Sequence, residues 1–238
     1  MGNAMLTIRQ NPSPNQGPRP VGVPIDMLIL HYTDTVDTAS ALGILLDPTR
    51  KVSAHYLVEE NGAIHGLVPE SQRAWHAGVS AWGNAADIND RSIGIEIVNP
   101  GHSNGYRPFP EAQMLALMDL VEEIIQRHQI PPIRVLAHSD VAPQRKKDPG
   151  ELFDWPRLAA KGLAVWPHNV KQRTHLSSLK EIQAKLAKFG YAVPQSGALD
   201  DETRQVITAF QRHFRPRLLT GIPDEESEAI LDALLGPL

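Results

Sequence analysis

Apolar residues in this chain fall first into short runs and later into spaced stripes. Met27-Leu28-Ile29-Leu30-His31 is an apolar run that stops abruptly at polar positions 32–37, the pattern of a buried strand delivering His31 to its edge. Residues 38–46 predict a short helix, with Thr38 as its cap and Pro48 as its stop. Residues 52–58 and 63–68 are strand-like and flank Asn61-Gly62, which predicts a hairpin. In Ser92-Ile93-Gly94-Ile95-Glu96-Ile97-Val98 the three isoleucines share one face, while Gly94, Glu96 and Val98 share the other. One carboxylate therefore interrupts an otherwise apolar central strand. After Pro110, residues Met114, Leu117, Met118, Val121, Ile124 and Ile125 recur at spacings of three and four, so a helix should cover one sheet face. Residues 133–137 predict a further strand, and it too ends on a histidine, His138. Strands alternating with helices give an α/β class with a central β-sheet flanked by helices.

The pattern changes after Trp166-Pro167. Leu179, Ile182, Leu186 and Phe189 form a helical stripe ending at Gly190. A second helix starts near Asp200, with acids in its first turn and Val206, Ile207, Phe210 and Phe214 at core spacing. A third runs from Pro223 through Ile230, Leu231 and Leu234. The expected division is a polar, proline-rich segment over 1–23, an α/β domain over 24–167 and a small three-helix domain over 168–238, near the size where one core is only marginally stabilising.

Composition narrows the chemistry. With 238 residues, 42% hydrophobic and 21% charged, the chain can bury a core, which excludes wholesale disorder and fibrous classes. It has no cysteine, so any metal must sit on His, Asp or Glu, and a thiol nucleophile is excluded. A net charge of −4 has the wrong sign for a protein held by phosphates, so nucleic acid is not an expected partner. The tail from His168 carries nine basic and nine acidic residues and is neutral. No apolar run approaches a membrane span of roughly 18 residues. The first twenty residues lack an apolar signal core, which points to the cytoplasm. Met1-Gly2-Asn3-Ala4 before Met5 reads as a cloning remnant, and a signal removed with it would place the protein in the periplasm or cell wall.

Among ten histidines, position separates His31 and His138, which each terminate an apolar strand. Asp148 follows ten residues after His138. Two imidazoles and a carboxylate suit zinc with a fourth position open; the alternative is strand-end histidines that only hydrogen-bond. Glu96 is either paired with an arginine such as Arg91 or Arg134, or is a general base, since burying it unpaired costs several kcal/mol. Lys146 lies two residues before Asp148, so an extended loop lets both point the same way. There it either stabilises an oxyanion or is a solvated lysine beside Arg145 and Lys147.

Six segments occur in sequence order: Ile29-Leu30-His31-Tyr32-Thr33, Val52-Ser53-Ala54-His55-Tyr56, Arg73-Ala74-Trp75-His76-Ala77-Gly78, Ser92-Ile93-Gly94-Ile95-Glu96, Ala137-His138-Ser139-Asp140-Val141-Ala142-Pro143 and Lys146-Lys147-Asp148-Pro149-Gly150. Together they resemble the type 2 N-acetylmuramoyl-L-alanine amidases, which share their mixed-sheet fold with peptidoglycan recognition proteins. The resemblance covers about positions 24–158. It implies one zinc ion per chain on His31, His138 and Asp148, with Glu96 and Lys146 as the catalytic pair. The implied reaction is hydrolysis of the amide between the lactyl group of N-acetylmuramic acid and L-alanine, in peptidoglycan or in muropeptide fragments. It also suggests Arg73, His76 and Arg145 along the substrate groove, where cations meet stem-peptide carboxylates. Trp75 is core or glycan platform, and His55 a structural histidine behind the site. His65, His102, His128, His168, His175 and His213 have no expected role.

The tail, through Leu179-Lys180-Glu181-Ile182-Gln183-Ala184-Lys185-Leu186, Gly197-Ala198-Leu199-Asp200, Thr203, Phe210-Gln211 and Thr220-Gly221-Ile222-Pro223-Asp224, resembles the three-helix peptidoglycan-binding domain of cell-wall hydrolases. Where that pattern has Asp-Gly, this chain has Ser196-Gly197. A bundle that only packs, or that restrains the enzyme, is the alternative. For the whole chain, the rival to a hydrolase is a non-catalytic recognition protein on the same fold.

Overall fold

The computed structural model describes residues 6–236, and the expectation about Met1 to Met5 lies outside the described residues. In chain order the strands are Ile8–Gln10 (β1), Gln16–Pro18 (β2), Met27–Tyr32 (β3), Tyr56–Val58 (β4), Ile64–Gly66 (β5), Gln72–Ala74 (β6), Ala81–Trp82 (β7), Ala85–Ala86 (β8), Ser92–Ile97 (β9) and Val135–Ala137 (β10). The α-helices are Thr38–Leu45 (α1), Glu111–His128 (α2), His138–Val141 (α3), Trp155–Ala160 (α4), Leu179–Phe189 (α5), Asp201–Phe214 (α6) and Glu225–Leu235 (α7).

Six strands form the central sheet in the order β1-β5-β4-β9-β3-β10. It is mixed: β4 and β5 pair antiparallel and the other four pairings are parallel. The hairpin at Asn61-Gly62 forms, with only Gly62 at positive φ (88°) and its N–H donating to Glu59 O, the signature of a longer bulged turn. The N-terminal segment is more than a loop. Its β1 adds an edge strand beside β5, and β2 pairs with β6.

Each face of the sheet has its own cover. Ile93, Ile95 and Ile97 join Leu28 and Leu30 in a core closed by Met114, Leu117, Val121 and Ile124 of α2, as the alternation predicts. On the opposite face Met27, Ile29 and Leu136 share one apolar cluster with Ile182, Leu186, Val206, Phe210 and Phe214 of the tail helices. The division near Trp166 therefore does not separate two cores, and Trp166 itself packs against both clusters. A bundle near the size where one core is only marginally stabilising gains an apolar partner from the sheet.

Local capping differs from the sequence reading in two places. Asp37, not Thr38, caps α1, its carboxylate accepting from Ser40 N at 2.8 Å. His138 does not end β10 but is the first residue of α3. In the tail, Gln183 and Gln211 play matching parts. Gln183 Oε1 accepts from Gly197 N (2.7 Å), and Gln211 Oε1 accepts from Thr220 N (2.8 Å) and Gly221 N (2.9 Å). Gly197 and Gly221 have φ of 72° and 65°, and three residues after each an aspartate, Asp200 or Asp224, caps the next helix. Much of the tail's polar motif thus holds its own loops in place. No helix among the described residues is long and apolar enough to cross a membrane.

Candidate active site

Parallel pairing of β9, β3 and β10 brings their C-terminal ends to one edge, where open α/β sheets place ligands. His31 and Glu96 are register partners on β3 and β9 and share a face. His138 follows β10, and Asp148 returns on the loop beyond α3, where Ser139 N donates to Asp148 O at 3.0 Å. A cleft of about 370 Å³ opens there, lined by Tyr32, Ile44, Glu96, His102, His138 and Lys146, among others. The apolar wall comes from α1.

Three atoms converge in its floor. His31 Nδ1 lies 2.8 Å from His138 Nδ1 and 3.1 Å from Asp148 Oδ2, and His138 Nδ1 lies 2.8 Å from that same oxygen. All three residues are buried. The outer hydrogen bonds set the ring tautomers. His138 Nε2 faces Ala77 O at 3.1 Å, an acceptor only, so it carries the hydrogen and leaves Nδ1 as a lone pair in the neutral ring. Ser92 Oγ donates to Ile88 O at 2.7 Å and accepts from His76 Nε2 at 3.1 Å. His76 Nδ1 is then an acceptor for His31 Nε2 at 3.0 Å, which frees His31 Nδ1 as well. Two nitrogen lone pairs and a carboxylate oxygen pointing at one another repel unless a cation lies between them. This donor set fits a metal ion with nitrogen and oxygen ligands.

Electrostatics agree. Burial, reinforced by His138, lowers the His31 pKa to about 4, so this ring stays unprotonated. Burial opposes the Asp148 carboxylate, but the two imidazoles outweigh it and hold its carboxyl well below the usual range. At Glu96 burial dominates, Asp148 adds to it and Lys146 opposes, leaving the carboxyl well above its ordinary range. Its Oε2 is buried without a hydrogen-bond partner. Neither arginine offered as its ion-pair partner is there, because Arg91 and Arg134 both bind Asp26. An unpartnered carboxylate beside a metal-competent cluster can exchange protons with whatever enters the cleft.

The remaining expected groove residues separate. Arg145 lines the cleft, with Nη2 donating to Ala77 O at 2.9 Å and Val79 O at 2.5 Å. His76 lies deep in the cleft floor and is not the cation its expected role requires, since burial and then His31 hold its pKa well below the usual value. Arg73 is outside the cleft lining, tied to Asp87 (2.8 Å) and Asp90 (2.5 Å). Trp75 is half-buried beside Gly17 and also outside it. His55 is buried behind the site, its Nδ1 accepting from Gly94 N at 3.0 Å. Two features carried no signal. His102 sits in a loop without apolar period, yet it forms a cleft wall, with Tyr32 Oη donating to its Nδ1 at 2.8 Å and Glu151 accepting from its Nε2 at 3.1 Å. Gly94 has no Cβ because the His76 ring occupies the space: an added one would lie 2.5 Å from His76 Cγ.

Residues 21–151 match the family described as N-acetylmuramoyl-L-alanine amidase, and residues 176–231 match a putative peptidoglycan binding domain. The N-acetylmuramoyl-L-alanine amidase AmiD of Escherichia coli is 44% identical over 89% of this chain and 82% of its own length. The structure of that amidase in complex with the substrate anhydro-N-acetylmuramic acid-L-Ala-D-gamma-Glu-L-Lys superposes with a TM-score of 0.80 at 42% identity, covering 90% of each chain. AmpDh3 of Pseudomonas aeruginosa gives a TM-score of 0.81 at 34% identity, over 97% of this chain and 98% of its own. The 1,6-anhydro-N-acetylmuramyl-L-alanine amidase AmpD of Haemophilus influenzae is 35% identical over 63% of this chain and 89% of its own length.

Proposed function

The chain belongs to the N-acetylmuramoyl-L-alanine amidase family, and on that premise we propose that it hydrolyses, with zinc, the amide joining the lactyl group of N-acetylmuramic acid to L-alanine in peptidoglycan or its muropeptide fragments. It is an amide hydrolase of a metal-dependent family. In this reading His31, His138 and Asp148 are the metal ligands, and Glu96 and Lys146 the catalytic pair. The observation that supports it is the convergence of three lone-pair atoms within 2.8–3.1 Å of one another beside an unpartnered Glu96. Zinc is the ion that suits a nitrogen and oxygen shell in a chain without cysteine, and it would supply Lewis acidity toward the scissile carbonyl and the attacking water.

The protein's own groups do the rest. Glu96, raised by burial, takes a proton from the attacking water and returns it to the leaving amine. Lys146, on the cleft lining, faces the oxyanion that develops on the carbonyl. Arg145 marks the cationic side of the cleft, where stem-peptide carboxylates fit. The tail region supplies a surface for the polymer.

Mass spectrometry of defined muropeptides tests this reading. Zinc-loaded protein should release the stem peptide from the muramic acid, chelator-treated protein should not, and restored zinc should recover the activity. Muropeptides that are bound but remain intact would instead make the chain a recognition protein. Gly94→Ala supplies a second check. By pushing His76 away from His31 it should weaken zinc affinity by about ten- to a hundredfold, read by chelator competition. Unchanged affinity would mean that the His76 contact does not orient His31.

A further inference from the structure

The tail reaches the catalytic floor as well as the sheet. Asp140 lies two residues beyond His138 in α3 and is buried, with 1% of its surface exposed. Its Oδ2 accepts from the backbone N–H of Ala137 at 2.8 Å, fixing the turn from β10 into α3 on which His138 is mounted. The other two donors to this carboxylate come from the tail. Tyr191 Oη donates to Oδ1 at 2.6 Å and His213 Nδ1 donates to Oδ2 at 2.7 Å. Neither donor has room to drift. The His213 ring is stacked between Trp155 and Phe214, each with a centroid separation of 3.9 Å. Tyr191 packs edge-on to Trp82 at 4.9 Å, and Gly83 N donates to Gly190 O at 2.6 Å just before it.

A second strut leaves the neighbouring residue of α6. Arg212 Nε donates to Glu151 Oε2 at 3.2 Å, and Glu151 Oε1 accepts from His102 in the cleft wall. One turn of a single tail helix thus holds both the floor and one wall of the cleft.

We propose that the C-terminal helical unit is a working part of the active site, in which Tyr191 and His213 are positioning residues that set His138 through Asp140. The inference rests on the reading of His138 as a metal ligand. A metal site needs its ligands placed to within a fraction of an ångström, and a buried carboxylate that loses a donor turns to find another, taking the Ala137 turn with it. A tail that only anchored the enzyme to the wall would not place two hydrogen-bond donors beneath a ligand, 53 and 75 positions downstream of it in sequence.

The test uses the full chain. Tyr191→Phe removes one hydroxyl, His213→Leu removes the second donor, and His213→Asn keeps a donor near the Nδ1 position. Leu231→Ala, in the tail core away from Asp140, serves as a control for general loosening. Zinc affinity by chelator competition, kcat and KM on a muropeptide, and Tm are measured for each. Tyr191→Phe and His213→Leu should each lower zinc affinity by about tenfold, the low end for outer hydrogen-bond partners, and lower kcat with KM unchanged. His213→Asn should recover most of both losses, and Leu231→Ala should lower Tm while sparing zinc affinity. Affinities of Tyr191→Phe and His213→Leu that equal the parent's, or that merely track Tm as Leu231→Ala does, would overturn the proposal. His138→Ala separates the underlying reading: if it binds zinc as the parent does, the ligand assignment itself fails.

Discussion

Glu96→Ala should remove amide cleavage while zinc content stays at the parent level, with kcat lower by about 10²- to 10⁴-fold, the range that a positioned general base contributes. Stability should move the other way. Glu96 Oε2 is buried without a partner, and Arg91 and Arg134, the arginines the sequence offered for it, both bind Asp26 instead. Removing a buried group that cannot be paired relieves a desolvation cost of about 1–3 kcal/mol, so the metal-free variant should melt higher than the metal-free parent. Glu96→Gln, which keeps the shape and removes the basic carboxylate, should share the loss of cleavage but not the full gain in Tm, because its amide is left equally unpaired. The opposite signs matter, because a variant that lost activity by unfolding would lose Tm as well. Metal analysis, single-turnover hydrolysis of a muropeptide and a thermal melt decide it together. A variant that cleaves at the parent rate removes Glu96 from the mechanism. One that melts lower shows that its carboxylate is satisfied in solution.

A chain ending at Pro167 should fail to reach a cooperatively folded, metal-binding state. The cut strips the tail helices from Met27, Ile29 and Leu136 on one face of the central sheet. It also exposes Trp82 and leaves Asp140 without the two side chains that donate to it. Burying each large apolar side chain contributes roughly 1.5–3 kcal/mol. Losing four or five of them removes on the order of 10 kcal/mol, which is comparable to the whole stability of a domain. Near-ultraviolet circular dichroism, calorimetry and zinc binding on the shortened chain measure the outcome. A sharp two-state melt with parental zinc affinity would show that the sheet closes its own face, and would make the tail dispensable to the fold. The same reasoning governs how wall binding is assayed: substitutions on the exposed surface of the tail in the full chain, sedimented with sacculi, report on anchoring without removing half of a core.

Some of this site was legible because strand alternation is strict. Ile93, Ile95 and Ile97 on one face require Gly94 and Glu96 on the other, and the observed sheet keeps that assignment. His31 stood out as the polar end of an apolar run, and it lies one residue before the end of β3. The reason for Gly94 was not legible, since the His76 ring that fills its place arrives from a loop 18 residues earlier. Arg73 entered as a groove cation through the family resemblance, which carries over a residue type but not its partners, and here Asp87 and Asp90 engage it. His102 was passed over for the converse reason: a cleft wall built by a polar loop has no period to betray it.

By itself the sequence determined the α/β alternation, the helical tail, the absence of thiolate ligands and a short set of residues able to hold a metal, because periodicity and residue chemistry are local properties. Tertiary structure alone decided that His31, His138 and Asp148 meet at one point, that Glu96 is left unpaired beside them, and that the tail closes one face of the sheet and braces Asp140. Those facts depend on which surfaces face each other across more than a hundred residues of chain, and no local pattern carries that information.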